Sequence, residues 1–358
     1  MKTIDRRLLI DLTKFALLAL ASVVTLYLLI DLFEELSYFT TRRVGIGLVL
    51  LNYLYELPSA ITLLYPVSLL LAVFVVYGQA VRDRELQALM SAGVAVRRLF
   101  VPAIAPGLAS VVLSLIGTQL VTIPSNRRLS DLRRFRIARR PAQPAGKRQN
   151  VYVALGGTVL FARELEADTI MRDLSAIHLS RDRLVTARVD AREAVYSQGV
   201  WVGRDVQLRR FDTATGEELT ESACTTINVN LQPAELAGTP RPMSETPTPV
   251  LRASIHRMKR AGENVAAEEV EYHYRFSYAM VGLIVVLLGL PVAVRLRRGG
   301  VMFGLGLALL FSFLYWGAIQ TSRAYGTAHI ISPVLAAWLP NLLFGSLALL
   351  LLLSAETL

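Results

Sequence analysis

The chain has 358 residues, 53% hydrophobic and 18% charged, with a formal net charge of +10; so apolar a composition excludes a purely soluble fold. Its one cysteine, Cys224, excludes an intrachain disulfide framework and a multi-cysteine metal site, and reads as a small buried or half-buried strand residue. The basic balance fits a membrane protein, whose basic residues set topology and meet anionic lipid, better than a nucleic-acid partner.

In chain order, the N-terminal MKTIDRRLLIDLTKF imitates the basic region of a signal peptide, and the uncharged run Phe15–Ile30 follows it. Asp31, Phe33, Glu34 and Glu35 come next in place of a small-residue cleavage site, so a retained first span is expected. Its apolar character resumes at Leu32 and Phe33, which lengthens a run otherwise short of the roughly 20 residues a bilayer core needs. After Arg42 and Arg43 comes a second run, Leu57–Ala80.

Residues 80–94 then read as a short amphipathic helix. Leu86, Leu89, Met90 and Val94 follow helical spacing and form an apolar stripe, away from Arg82, Asp83 and Glu85. Arg82 and Glu85 are spaced to pair, and Gly93 suits a helix C-terminus. Two acids in the polar stretch disfavour rest on an anionic leaflet; docking into a groove of a soluble partner fits better.

A third apolar run, Leu99–Asn126, leads into Arg127, Arg128, Arg133, Arg134, Arg136, Arg139 and Arg140, with Asp131 the single acid among them. Such a cluster fits either a solvated linker with arginines snorkelling to phospholipid or a site for a multiply phosphorylated ligand.

From Val151 to Val229 the pattern changes to short β-rich pieces, among them Val159–Arg163, Leu174–Leu179, Leu184–Ala191 and Val200–Leu208. In VWVGRDVQL, Val200, Val202, Val206 and Leu208 share one parity, and Gly156-Gly157 and Ser197-Gln198-Gly199 supply turns. The expectation is an all-β sandwich, jelly roll or partly open barrel. Leu231–Val250, with five prolines, reads as a linker, and Leu251–Arg275 as a helix entering a fourth span.

The runs Phe276–Val294, Val301–Ser322 and Ala324–Ala355 complete six spans. The domains expected are residues 1–126 (three spans), 127–250 (a β domain with linkers) and 251–358 (a helix and three spans). Arg6, Arg7, Arg82, Arg84, Arg97, Arg98, Arg295, Arg297 and Arg298 fall on one side, which the positive-inside rule makes cytoplasmic. Both termini then face the cytoplasm and the β domain lies outside.

Known catalytic patterns are missing. There is no GxxxxGK[ST] loop, so the chain is not expected to hydrolyse ATP; there is no HExxH or GxSxG. His178, His256, His273 and His329 are scattered, and His273 beside Glu271 reads as a helix-surface pair.

The stretch RDRELQALMSAGV after a helix containing Pro66, the TIPSNRR exit from span three, the strands ARVDAREAVYSQGVWVGRDVQL, the turn VLLGLPVAVRLRRGG and the last span ISPVLAAWLPNLLF together resemble the LptF/LptG permeases of the lipopolysaccharide exporter. The details around the β domain and last span look more LptG-like. The resemblance implies an α-helical integral membrane protein with six transmembrane helices and an inserted periplasmic β-jellyroll, in the bacterial inner membrane. It implies a paralogous LptF/LptG partner enclosing a lipid cavity, an LptB ATPase dimer, and delivery to LptC and the periplasmic bridge. No cofactor is bound by this chain; ATP and Mg2+ belong to the partner ATPase. Arg82, Glu85, Leu86, Leu89, Met90 and Gly93 would couple to that ATPase. Arg42, Arg43, Arg127, Arg128, Arg133 and Arg134 would bind lipopolysaccharide phosphates. Leu26, Phe33, Phe303, Leu307 and Phe311 would line the lateral gate and acyl cavity. Asp31, Glu34 and Glu35 depart from the basic residues family members carry there, and would pair with a partner's arginines or reach phosphate through a divalent cation. The competing readings are a mechanotransmission permease carrying no lipid through its spans, and a membrane-anchored periplasmic receptor.

Overall fold

A computed structural model describes residues 2–138, 147–155, 158–166, 169–180, 184–197, 200–211, 218–227, 242–260, 264–295 and 300–354. It divides into two units, Met1–Arg139 with Ala266–Leu358, and Arg140–Val265. The first holds helices α1 (Lys2–Thr41), α2 (Ile46–Arg82), α3 (Glu85–Ser91), α4 (Val96–Gly117) and α5 (Ile123–Asp131). The second holds six strands and α6 (Thr248–Arg260); α7 (Ala266–Arg295), α8 (Gly300–Thr327) and α9 (Pro333–Ser354) return to the first.

Among the described residues six helical stretches are long and apolar enough to cross a membrane: Ile4–Thr41, Ile46–Arg82, Arg98–Ile137, Ala266–Arg295, Met302–Thr327 and Pro333–Ser354. They match the six apolar runs of the sequence. The third is continuous because π-helical turns at Thr118–Thr122 and Leu132–Ile137 join α4 to α5 and prolong it. Such wide turns change the face that the following residues present, here the arginine-bearing segment. Helix α1 contains neither proline nor glycine over its 40 residues, so it lacks the usual causes of a kink and extends for roughly 60 Å at 1.5 Å per residue.

The core of this unit lies between α2 and α7. Leu70, Val73, Phe74 and Tyr77 of α2 and Val286, Leu288 and Leu290 of α7 are buried. Glycines allow the close approach: a Cβ on Gly289 would lie 2.6 Å from Leu70 Cδ1, and one on Gly282 would collide with Ser110 Oγ and the Tyr65 ring. Small residues at such contacts permit the packing that drives helix association in lipid, where there is no hydrophobic push. Polar side chains then lock the neighbours. Tyr315 of α8 donates to Asn341 Oδ1 of α9 at 2.6 Å, and Asn341 Nδ2 donates to the Ser277 carbonyl of α7 at 2.7 Å.

In the second unit, β1 (Lys147–Leu155), β2 (Thr158–Glu166), β3 (Ile170–Leu179), β4 (Val185–Ser197), β5 (Val200–Phe211) and β6 (Glu218–Ile227) form one antiparallel sheet in sequence order. Among the described residues this is a meander, without the Greek-key exchange that defines a jelly roll. The anticipated turns at Gly156-Gly157 and Gln198-Gly199, and residues 231–241 of the linker, lie outside the described residues, as does the side chain of Cys224.

One row crosses four strands and inverts their faces. Arg163, Asp173, Arg192 and Asp205 stand opposite one another, yet are left out of ladders that resume on both sides (Ala162↔Leu174 and Glu164↔Arg172; Leu174↔Ala191 and Arg172↔Glu193; Ala191↔Val206 and Glu193↔Arg204). Asp173 and Asp205 have φ of 48° and 54°, a left-handed conformation that aspartate tolerates better than most residues. Salt bridges join Arg163 to Asp173 at 3.3 Å and Arg192 to Asp205 at 3.7 Å. Leu160, Ala162, Leu174, Ala176, Val189, Ala191 and Val206 are buried on one side of the row, and Leu165, Met171, Ala194 and Trp201 on the other. The switch corrects the single-parity reading of β5: Val200 and Val202 are exposed, and Trp201 between them is fully buried. A strict period of two holds only while every residue keeps an extended backbone.

Candidate functional site

Three places in the membrane unit carry the residues singled out by sequence. The first is α3. Arg84 precedes it with φ 58° and Gly93 follows it with φ 83°, so the chain turns sharply at both ends; the glycine meets that need at no steric cost. Leu86 is buried, and Leu89, Met90 and Val94 pack on the core cluster containing Leu8, Leu12, Tyr77 and Leu99. The apolar stripe anticipated for a partner's groove is therefore spent on the chain's own bundle. The outward face carries Arg82, Asp83, Arg84, Glu85, Gln87 and Ala88, all exposed.

The expected Arg82–Glu85 pair is also corrected. Arg82 Nε lies 3.4 Å from Asp83 Oδ1, and Glu85 Oε1 lies 3.4 Å from Arg7 Nη2 of α1. The first turns of α1 thus touch the coupling candidate through an exposed ion pair, and Leu8 and Leu12 belong to the same buried cluster as Leu86.

The second place is the far end of α1. Arg133 is not a free ligand there. Its Nε donates to Asn52 Oδ1 at 2.8 Å, Nη1 and Nη2 donate to the two Glu35 oxygens at 3.2 Å each, and Nη2 also donates to Glu56 Oε2 at 3.1 Å. Nearby, Tyr53 donates to Asp31 Oδ2 at 3.1 Å. Glu35, expected to seek a partner's arginine or a cation, is met by an arginine of its own chain.

The fork binds α1, α2 and the turn after α5, and Phe39, Leu132 and Ile137 pack beside it as an apolar cluster. Arg42 stacks over the Tyr38 ring at 4.0 Å. Arg42, Arg43, Arg128 and Arg134 are exposed and Arg127 is half-buried, while Arg139 and Arg140 lie outside the described residues.

The third place is the proposed gate. Leu26, Phe33 and Phe303 are exposed at 58%, 67% and 53%, as lipid- or partner-facing side chains are. Leu307 and Phe311 instead pack against the unit's own core.

Sequence reading missed one further group. Glu271 of α7 is held by Arg275 at 3.5 Å and by Arg323 of α8 at 2.7 Å, with Arg323 stacked on Tyr274 at 4.0 Å. His273, expected to pair with Glu271, stacks edge-on against Tyr272. A lone arginine between two apolar runs was the signal available, since a cation there needs a buried partner. Among the described residues no cluster of histidine, cysteine, aspartate and glutamate is arranged to hold a metal ion.

Six spans, glycine-packed at the centre and apolar at the rim, with a β sheet inserted between the third and fourth, define a multi-pass membrane protein. The model of one family, the lipopolysaccharide export system permease LptF/LptG, matches residues 6–354. The chain belongs to that family, whose members are membrane transport components for lipopolysaccharide export. No curated protein matches the sequence.

Proposed function

We propose that the chain is one of two permease subunits of an ATP-driven exporter that lifts lipopolysaccharide out of the inner membrane. It pairs with a paralogous LptF/LptG subunit and takes its power from an LptB ATPase dimer, which binds the ATP and Mg2+. Its β unit lies in the periplasm and passes the lipid to LptC and the bridge; both termini are cytoplasmic, following the basic short loops.

The observation that carries this reading is the mounting of α3. Leu86 is sunk into the bundle at 2% exposure while Glu85 stands outside it, so a push on the exposed face reaches the spans through packed side chains. Arg82, Glu85, Leu86, Leu89, Met90 and Gly93 form this coupling element, with the leucines and Met90 as its internal anchor. At the opposite end Arg42, Arg43, Arg127, Arg128 and Arg134 receive lipid phosphates, and Arg133 joins them only by exchanging a carboxylate for a phosphate. Leu26, Phe33 and Phe303 face the acyl chains, with Leu307 and Phe311 behind them.

Glu85→Lys tests the reading in the reconstituted complex. The variant assembles with its partners and stays folded, but lipid extraction coupled to ATP hydrolysis is lost. Normal lipid release per ATP from this variant would refute the coupling role.

A further inference from the structure

A cleft of about 640 Å3 opens between α1, α2 and α4. Leu9 and Leu17 of α1, Tyr65 and Leu69 of α2, and Ala105 and Leu113 of α4 line it. None of the proposed gate residues, Leu26, Phe33, Phe303, Leu307 or Phe311, does so. We propose that this cleft is a binding site for an anionic glycerophospholipid, separate from the transport path: one acyl chain in the groove, the headgroup phosphate at Arg6 and Arg98.

The lining selects hydrocarbon. Six of its seven hydroxyls are hydrogen-bonded within the protein: Thr13 donates to the Leu9 carbonyl at 2.8 Å, Thr62 to Pro58 at 2.8 Å, Ser68 to Leu64 at 3.0 Å, Ser110 to Gly107 at 2.7 Å and Tyr65 to Tyr278 at 3.0 Å, and Thr122 Oγ1 lies 3.1 Å from Thr62 Oγ1. With most of these hydroxyls bonded inside the protein, water and polar ligands gain little by entering, and an apolar chain loses little.

The charge selects the headgroup. Arg6 precedes Leu9 by three residues and Thr13 by seven, and Arg98 precedes Ala105 by seven, so both arginines sit on the lining faces of their helices. Both are exposed. Arg98 Nη2 lies 3.8 Å from Asp5 Oδ2, which brings the feet of α1 and α4 together. That contact is long and solvated, and a phosphate can compete with it.

The test uses the full chain in nanodiscs holding equal amounts of phosphatidylglycerol and phosphatidylcholine with identical acyl chains. Lipids retained on release are counted by native mass spectrometry. Phosphatidylglycerol is retained in preference, and Arg6→Ala with Arg98→Ala lowers its retention by about fivefold or more, the effect of one or two basic residues at an anionic surface, without altering phosphatidylcholine. Ala109→Trp, which fills the groove, lowers both. Equal retention of the two lipids by the unaltered chain, or unchanged retention in the double-arginine variant, overturns the proposal. So does a photocrosslinker at Ala109 that forms its adduct with protein instead of lipid. Lipopolysaccharide export by an intact complex stands or falls independently of these outcomes.

Discussion

The two ends of α1 make opposite kinds of contact. At its start Arg7 reaches Glu85 across 3.4 Å with the side chains 68% and 45% exposed; near its other end Glu35 meets Arg133, which also holds the 13%-exposed Glu56. An exposed pair is screened and contributes roughly 0–1 kcal/mol, so it can be exchanged for another partner at small cost. A fork shared between two carboxylates and Asn52 cannot. The same helix is therefore loosely tied at its start and tightly clamped near its far end.

The sharpest way to break this contrast is Arg133→Met. Removing the cation leaves Glu35 and Glu56 facing each other, and stranding a buried charge costs about 3–5 kcal/mol. Because Arg133 is about a third exposed, the expected loss is nearer 2–3 kcal/mol, read as a lowered unfolding midpoint in lipid discs. Adding Glu56→Gln recovers part of it. A loss no larger than that of Arg7→Ala would show that the two ends do not differ.

Asp205 separates charge from backbone. Its pair with Arg192 is more exposed than that of Arg7 with Glu85, but its φ is 54°. Asp205→Val should cost about 1–2 kcal/mol, the penalty of a left-handed residue with a bulky side chain. Asp205→Asn, which loses the charge and keeps the tolerance, costs much less. Hydrogen exchange along β4 and β5 distinguishes the two, and equal effects would make the ion pair the cause.

Arg7→Ala is expected to cost under about 1 kcal/mol, and less again in high salt. Its larger signature is functional: lipid released per ATP falls while the unfolding midpoint holds.

The smallest effect belongs to His178, half-buried in β3 with Nδ1 2.9 Å from Thr158 Oγ1. Burial lowers its pKa from the usual 6.5. Above that value both folded and unfolded chains carry it neutral, so it contributes no pH dependence. As pH falls below it, the unfolded chain takes up the proton first and stability drops. The protection of β2 and β3 amides, corrected for the intrinsic slowing of exchange in acid, should therefore fall slightly between about pH 7.5 and 5.5, and His178→Gln should remove that decrement.

Much of the architecture is legible in the chain because it depends on local properties. Five uncharged runs of sufficient length, and a sixth lengthened by Leu32 and Phe33, define spans whatever their neighbours, and β-rich pieces mark the insertion. The inward faces were less legible. Val200 and Val202 look like core on a period of two, and only the left-handed Asp205 moves burial to Trp201. At α3 the stripe of Leu86, Leu89 and Met90 was visible, but a stripe does not say whether it covers its own bundle or another protein. The clamp was invisible, because Arg133 stands 98 residues from Glu35 and 77 from Glu56.

Sequence alone determined how many times the chain crosses a membrane, where the β insertion falls and which segments are basic, since apolar length and charge act through each residue's own free energy in water and lipid. Which arginine is occupied, which face of a helix or strand turns inward, and where a lipid-sized cleft opens were decided only by the tertiary structure. Those are properties of pairs brought together from distant positions, and their energies exist only once the helices have packed.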